Sequence, residues 1–353
     1  MATAFTSRIP VENIYYLLGY AWNRLTEANT ALVSVSGTTQ LSDLFARVLI
    51  GGTKHLIRHG LEKKYELHVE EVPSIRGRVA LAPSYRRMQL HHGRATCEFD
   101  ELTINSPANI ALKSTLSALS KVADLDAGNR TELQGLIRRL HSVTEVPLNS
   151  ALFRSIQFHR NNRLYAFLLR VCQLVKDSLQ VDEREGQYEF RDFIREPKAM
   201  ARLFEDFIFR FYLIERADLS VSRDTLKWRA NSETDPSLSY LPSMRTDVSI
   251  RSASKTVIID AKYYQETLAS YYGSESFHAS NLYQLYAYLK NFEQNPTPDS
   301  DAVGMLLYPE VDKRLREHYT IDGHSVFVST VNLSQPWLDL RRELMSIICQ
   351  QFE

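Results

Sequence analysis

Several features that would place a chain in a class at once are scarce in this one. It holds three cysteines, Cys97, Cys172 and Cys349, far apart and without a CxxC or Cys/His pairing. That excludes a disulfide framework and a zinc site, and leaves free thiols in a reducing, cytoplasmic setting as the simple reading. No apolar run approaches the roughly 20 residues that span a bilayer. The aromatic-rich patch Ile14–Trp22 is short and has no convincing cleavage site, so neither a membrane segment nor a signal peptide is expected. Net charge is absent as well: 42 Lys+Arg stand against 42 Asp+Glu, which removes the broad positive field typical of stand-alone nucleic-acid binders. Gly51-Gly52-Thr53-Lys54 lacks the spacing of a G-x-x-x-x-G-K-[ST] phosphate loop, and no other stretch supplies one. There is no internal repeat and no low-complexity tract.

What is present is a chain of 353 residues, 44% hydrophobic and 10% aromatic, which is ample for a core and too long for one small domain. The neutral total hides an asymmetry. Residues 196–353 carry 17 Lys+Arg against 22 Asp+Glu, and the first 195 carry 25 against 20. Helical spacing of apolar residues predicts helices over Asn13–Leu25, from Ser42 as an N-cap before Asp43, and over Asn109–Ala123, Arg130–His141 and Arg163–Leu179. Between them YELHVEEV, from Tyr65, alternates, and PSIRGRVAL places a glycine between two arginines as a strand–turn–strand unit. Residues 65–105 therefore read as β-rich, with Arg76, Arg78, Arg86, Arg87 and Arg94 gathered there.

The last part has a clear order: a helix Lys198–Glu215 with Phe204, Phe207, Ile208 and Phe211 on one face, strands around Met244–Arg251 and Thr256–Tyr264, and a helix over Ala279–Phe292. An apolar strand from Ala302, a further hairpin and a helix Trp337–Phe352 complete it. The expected class is α/β (α+β overall), a mixed sheet flanked by helices behind an N-terminal mixed domain with a β-rich projection and a helical connector. The expected boundaries are 1–105, 106–195 and 196–353.

The chemistry concentrates in Asp260-Ala261-Lys262. A D/E-x-K tripeptide alone says little, and Glu62-Lys63-Lys64 and Glu196-Pro197-Lys198 read as surface charge. The third instance follows Val257-Ile258-Ile259, a run expected to be buried on both faces. Residues at i and i+2 share a strand face, so acid and lysine point to one spot, where an unpaired charge would be costly. An antiparallel hairpin brings Asp247 beside Asp260. Two carboxylates suit Mg2+, which binds few protein ligands and keeps several waters, and Lys262 is placed to orient or deprotonate an attacking water and to stabilise phosphorane charge. The bland alternative is a surface hairpin with an ordinary salt bridge. On the next helix Asn281, Gln284 and Tyr288 line one edge of the apolar face, placed to contact the site or a phosphate; otherwise they are a solvated edge. Glu205, at the margin of its helix's apolar face, is a candidate third metal ligand, whereas Asp206 points to solvent.

Asp247, Asp260-x-Lys262 and Gln284-x-x-x-Tyr288 together resemble the PD-(D/E)xK nuclease superfamily in its RecB-like branch, with Thr246 where the motif's name has proline. IPVENIYYLLGYAWNRL, IRGRVAL, FDELTINSPAN, LPSMRTDVSIRS, VIIDAKYY and FHASNLYQLYAYL extend the resemblance, over almost the full length, to the McrC family, the nuclease subunits of McrBC modification-dependent restriction systems. The resemblance implies a Mg2+-dependent endonuclease cutting double-stranded DNA that carries methylated cytosine. It also implies an N-terminal region that docks on, and stimulates, a McrB-like AAA+ hexamer, which would bind and hydrolyse the GTP. Arg76 and Arg78 are then candidate docking residues, in a projecting element that reaches the ring's pore or nucleotide site. The missing phosphate loop and the neutral charge fit a subunit handed its DNA by a motor. Two other readings stand beside this one: a catalytically silent adaptor of an AAA+ ring, and a stand-alone repair nuclease.

Overall fold

The computed structural model describes residues 9–23, 40–156, 163–181, 188–190, 194, 196–228, 230–264, 269–271, 274–293, 299–311 and 313–352. The chain forms two compact units, one of Met1–Ala28, Val35–Leu41 and Asp192–Glu353, the other of Asn29–Ser34 and Ser42–Arg191. This differs from the three expected segments. Helix α1 (Val11–Ala21) belongs with the C-terminal unit, and the residues on either side of position 105 share one unit.

The unit around 42–191 joins a helical body to a β ribbon. Its helices are α2 (Leu41–His59), the short α3 (Leu81–Arg86), α4 (Pro107–Ser120), α5 (Ala127–Arg139), α6 (Ser150–Arg154) and α7 (Arg163–Ser178). Ser42 lies inside α2 and is buried, so it is not the cap the sequence suggests. Ser106 caps α4 with its side chain accepting from the Asn109 N–H, and Pro107 occupies the first helical turn, where its missing N–H costs nothing. Gly52 lets α2 meet α7 closely, since a Cβ there would lie 2.3 Å from Leu168 Cδ2.

The ribbon is a three-stranded antiparallel sheet, β1 (Lys64–Val72), β2 (Arg78–Val79) and β3 (Ala95–Thr103), in the order β1-β3-β2. β1 and β2 do not pair with each other; both pair with β3. Gly77 (φ +62) makes the turn before β2, and a side chain there would run into the Glu98 carbonyl at 2.3 Å. Asn109 fixes the base of the ribbon. Its Nδ2 donates to the Glu62 and Ile104 carbonyls, and its Oδ1 accepts from the Tyr165 hydroxyl at 2.6 Å. A short pair, β4 (Leu179–Val181) with β5 (Tyr188–Phe190), completes this unit.

After α1, the C-terminal unit continues with α8 (Pro197–Glu215), whose Phe204, Phe207, Ile208 and Phe211 are fully buried. β6 (Ser220–Ser222), β7 (Thr225–Leu226), β8 (Met244–Arg245), β9 (Val248–Arg251), β10 (Thr256–Ala261), the small ribbon β11 (Ala269–Tyr271)–β12 (Ser274–Ser276), α9 (Ala279–Phe292), β13 (Val303–Pro309), β14 (Arg316–Ile321), β15 (His324–Val331) and α10 (Trp337–Phe352) follow. The mixed six-stranded sheet has the order β14-β15-β13-β10-β9-β6, with β10, β13 and β15 parallel and the outer strands antiparallel. Every residue of β10 is buried, at roughly 1.5–3 kcal/mol for each large aliphatic side chain.

One face of the sheet, with Ile258, Leu306, Tyr308, Val326 and Val328, packs on Leu285, Tyr288, Leu289 and Phe292 of α9. Gly304 lets that helix approach, because a Cβ there would lie 2.9 Å from Leu289 and 3.0 Å from Leu285. α8 packs on β6 and β10, α10 on β15, and α1 on α8 and α10. α1 is held there by Tyr16 stacked on Trp337 (4.3 Å), Tyr20 edge-on to Phe207, and Asn13 Nδ2 donating to the Leu333 carbonyl at 2.8 Å. Among the described residues no helix is long and apolar enough to cross a membrane. Cys97 and Cys172 are buried free thiols and Cys349 is a half-buried one.

Candidate active site

The expected single strand Met244–Arg251 is broken. β8 pairs with β7, β9 pairs with β10, and Thr246 and Asp247 lie between them. The pairing of Val248 with Ile259 brings Asp247 next to Asp260 at the end of the β9–β10 ladder. There the Asp247 side chain stands in for a backbone carbonyl, its Oδ2 accepting the Ala261 N–H at 2.9 Å. A carboxylate so bound lies near the plane of the sheet, where it can be met from both faces.

From the α9 face it meets Lys262, whose Nζ lies 2.7 Å from Asp260 Oδ1 and 3.5 Å from Asp247 Oδ2. From the α8 side it meets Glu205. Arg223 joins these elements by donating Nε to the Asp247 carbonyl (3.0 Å) and Nη2 to the Glu205 carbonyl (3.3 Å), while pairing with Asp206 at 2.8 Å. Asp206 is thus a half-exposed salt-bridge partner, and Glu205 the member of the pair turned to the site. Nothing in sequence spacing points to Arg223.

Asp260 is fully buried, and its Oδ2 has no hydrogen-bond partner. Burial pushes its carboxyl up to about 7; Lys262 pulls it back and the Asp247 charge adds to the rise. Glu205 also rises to about 7, from burial first and then from the Asp247 charge, against Arg223 and Lys262. Burial works to lower the Lys262 ammonium, but the charges of Asp260 and Asp247 outweigh it and hold it above the ordinary lysine value.

These residues fit a hard divalent cation. Three carboxyl groups crowd one another, and a buried acceptor oxygen is unsatisfied, at a cost of about 1–3 kcal/mol or more for a charged group. Among the described residues no three Asp, Glu, His or Cys side chains converge closely enough to hold an ion unaided. A cation would therefore rest chiefly on Asp247 and Asp260 and retain its own waters, as Mg2+ does.

The α9 residues divide. Gln284 Nε2 donates to the Tyr288 hydroxyl at 2.6 Å, and that hydroxyl donates to the Arg245 carbonyl at 2.7 Å. The pair anchors α9 to β8, two residues before Asp247. Tyr288 is buried, so it does not form a solvated edge. Asn281, expected in the same stripe, is buried between two tyrosines: its Oδ1 accepts from Tyr264 and its Nδ2 donates to Tyr308, both at 3.1 Å.

In the other unit, Arg76 and Arg78 are exposed at the ribbon's turn. Arg76 lies 6.0 Å over the Phe99 ring, and Arg78 pairs in register with Glu98. The arginines stand out in the sequence, but the apolar residues beside them are the more unusual feature. Tyr65, Leu67 and Val69 alternate along β1 with exposures of 73%, 64% and 57%, while Glu66 and His68 between them are half-covered. Ile75, Leu81, Tyr85 and Met88 are exposed in the same segment. The alternation of YELHVEEV carries that signal, but alternation does not say which face meets the body of the protein. So many exposed apolar side chains along one strand face are uncommon on the surface of a monomer.

Residues 11–309 match the family described as McrBC 5-methylcytosine restriction system component. The chain is 37% identical over 339 residues to an Escherichia coli (strain K12) protein described as type IV methyl-directed restriction enzyme EcoKMcrBC, covering 96% of this chain and 97% of that one. Its fold resembles, with a TM-score of 0.58 at 18% identity, a chain of the refined half-complex from the tetradecameric assembly of Thermococcus gammatolerans McrB AAA+ hexamers with bound McrC. That likeness covers 96% of this chain and 76% of the other.

Proposed function

The chain belongs to the McrBC 5-methylcytosine restriction family, and on that premise we propose that it is the McrC-type nuclease subunit, a Mg2+-dependent endonuclease that cuts DNA carrying methylated cytosine. In this reading it works in the cytoplasm, docked on a McrB-like AAA+ hexamer whose GTP hydrolysis it stimulates. The observation that carries the nuclease assignment is the buried, unsatisfied Asp260 Oδ2 beside Asp247 and Lys262.

Asp247 and Asp260, with Glu205 behind Asp247, would hold the Mg2+. When bound, the ion supplies Lewis acidity for the scissile phosphate and acidifies water. Lys262 lies against both carboxylates, so its role is to orient or deprotonate the attacking water and to stabilise charge that develops on the phosphate. Arg223 and the Gln284–Tyr288 pair hold α8 and α9 against the backbone on either side of Asp247. Docking is assigned to the ribbon, through its apolar residues together with Arg76 and Arg78. The absence of a phosphate loop from the sequence leaves GTP to the partner.

Asp260→Asn tests the reading in the reconstituted complex. Cleavage of methylated DNA should disappear while stimulation of the partner's GTPase persists. Continued cutting by that variant would sink the site assignment. Efficient cutting by the isolated chain with Mg2+ alone would favour a stand-alone nuclease, and absence of cutting by the wild-type complex a silent adaptor.

A further inference from the structure

Asp260, Lys262, Leu306 and Tyr308 share one face of two adjacent parallel strands. Asp260 pairs in register with Leu306, and the Lys262 N–H donates to the Leu307 carbonyl at 3.0 Å, continuing the ladder past the end of β10. Tyr308 therefore stands beside Lys262 and next to Asp260 along the face that α9 covers. Its ring is fully buried. Burial pushes its hydroxyl up to about 12, and the Asp260 charge adds to the rise, which places the hydroxyl within the field of that carboxylate.

The hydroxyl itself is oriented. Asn281 Nδ2 donates to it at 3.1 Å, and Asn281 is turned by accepting from Tyr264 at 3.1 Å. One amide serves two tyrosines, so one of the two accepts from it and keeps a proton for another acceptor. That tyrosine is Tyr308, since Tyr264 gives its proton to Asn281. The buried acceptor left without a direct hydrogen-bond partner here is Asp260 Oδ2. A water between them would have Tyr308, Asp260 and the Lys262 ammonium as polar neighbours, enough to hold it.

We propose that Tyr308, set by Asn281, is a positioning residue for the cation site, reaching Asp260 Oδ2 through one water. The proposal rests on the reading of the site as a metal-dependent nuclease. Hydrogen bonds of this kind to a metal-binding carboxylate tune affinity by about 10–100-fold. Tyr308 lies outside the sequence motifs that mark the site, and Asn281 enters the sequence reading only as a member of the polar stripe on α9.

Tyr308→Phe removes one oxygen from a fully packed ring. Mn2+ binding to the isolated chain, followed by loss of the free-ion electron paramagnetic resonance signal, should weaken about tenfold, and the Mg2+ concentration for half-maximal cleavage by the complex should rise about tenfold. Asn281→Leu should shift both in the same direction. Asp260→Asn is measured alongside. If it still binds Mn2+ and cuts, the nuclease site itself is misassigned. If it fails on both counts while Tyr308→Phe matches wild type in both, only the positioning role of Tyr308 is overturned. A Tyr308→Phe chain that melts earlier yet keeps both metal midpoints would overturn it equally, since that is what a purely structural tyrosine would do.

Discussion

The end of β10 and the face of β1 break the same rule in opposite directions. At the first, two carboxylates and an ammonium are held inside; at the second, tyrosine, leucine and valine are held outside while glutamate and histidine are half-covered. Burial of charge is tolerated where something charged is to be bound, and exposure of apolar surface where something apolar will cover it. In the proposed reading each is completed by a ligand, a cation in one case and a protein surface in the other.

The sharpest way to break the comparison is to remove the ammonium. Lys262→Ala leaves Asp247 and Asp260 facing each other, so it should lower cleavage by about a thousandfold and cost about 2–3 kcal/mol of stability. Added Mg2+ should raise the melting temperature of this variant more than that of wild type, because a cation then replaces the missing charge; an equal shift in the two proteins would argue that no cation binds between the carboxylates. Next in size, Leu67→Glu with Val69→Glu should reduce GTPase stimulation by at least about 30-fold, as expected for central anchors of an interface. The same pair should leave the melting of the isolated chain unchanged, since both side chains lie in solvent. Arg76→Ala with Arg78→Ala should cost less, and a larger loss from the arginines would transfer the docking role to charge.

Gly304→Ala should cost about 1–3 kcal/mol by pressing α9 off β13. It should also slow cleavage, because the Tyr288 bond to Arg245 moves with the helix; an unfolding curve that superimposes on wild type would mean that the helix yields freely. The smallest effect is at Glu215. Burial raises its carboxyl, but hydrogen bonds from Arg341 and Tyr20 outweigh that and hold it below the usual carboxylate value. Such a group stabilises the fold above its unfolded pKa of about 4.3, and the contribution is lost as pH falls through the lower folded value. Wild type should therefore melt above Glu215→Gln at neutral pH and lose that advantage in acid; a difference that does not change with pH would remove the ion pair from the account.

Much of the site is legible in the sequence because its signals are local. Three aliphatic residues before Asp260 read as a buried strand, the i, i+2 spacing puts Lys262 on the same face, and antiparallel pairing from Thr256 brings Asp247 alongside. α9 and α10 are legible to their ends from apolar periodicity and composition. What escapes depends on distant partners. Helix α1 has an apolar face, but nothing within it says that Phe207 and Trp337 will cover it. Arg223 and Tyr308 act through contacts with backbone and side chains on other elements, and neither has a spacing that marks it. Residues 24–39, onto which the predicted first helix runs, lie outside the described residues.

The seat of α1 has a consequence for synthesis. The helix is made well before the aromatic rings that receive Tyr16 and Tyr20, which sit on α8 and at Trp337. Domains generally fold as units once their sequence is available. The unit that holds the carboxylate–lysine cluster is therefore closed only after Trp337 has been made, and a chain interrupted before residue 337 leaves α1 without that partner.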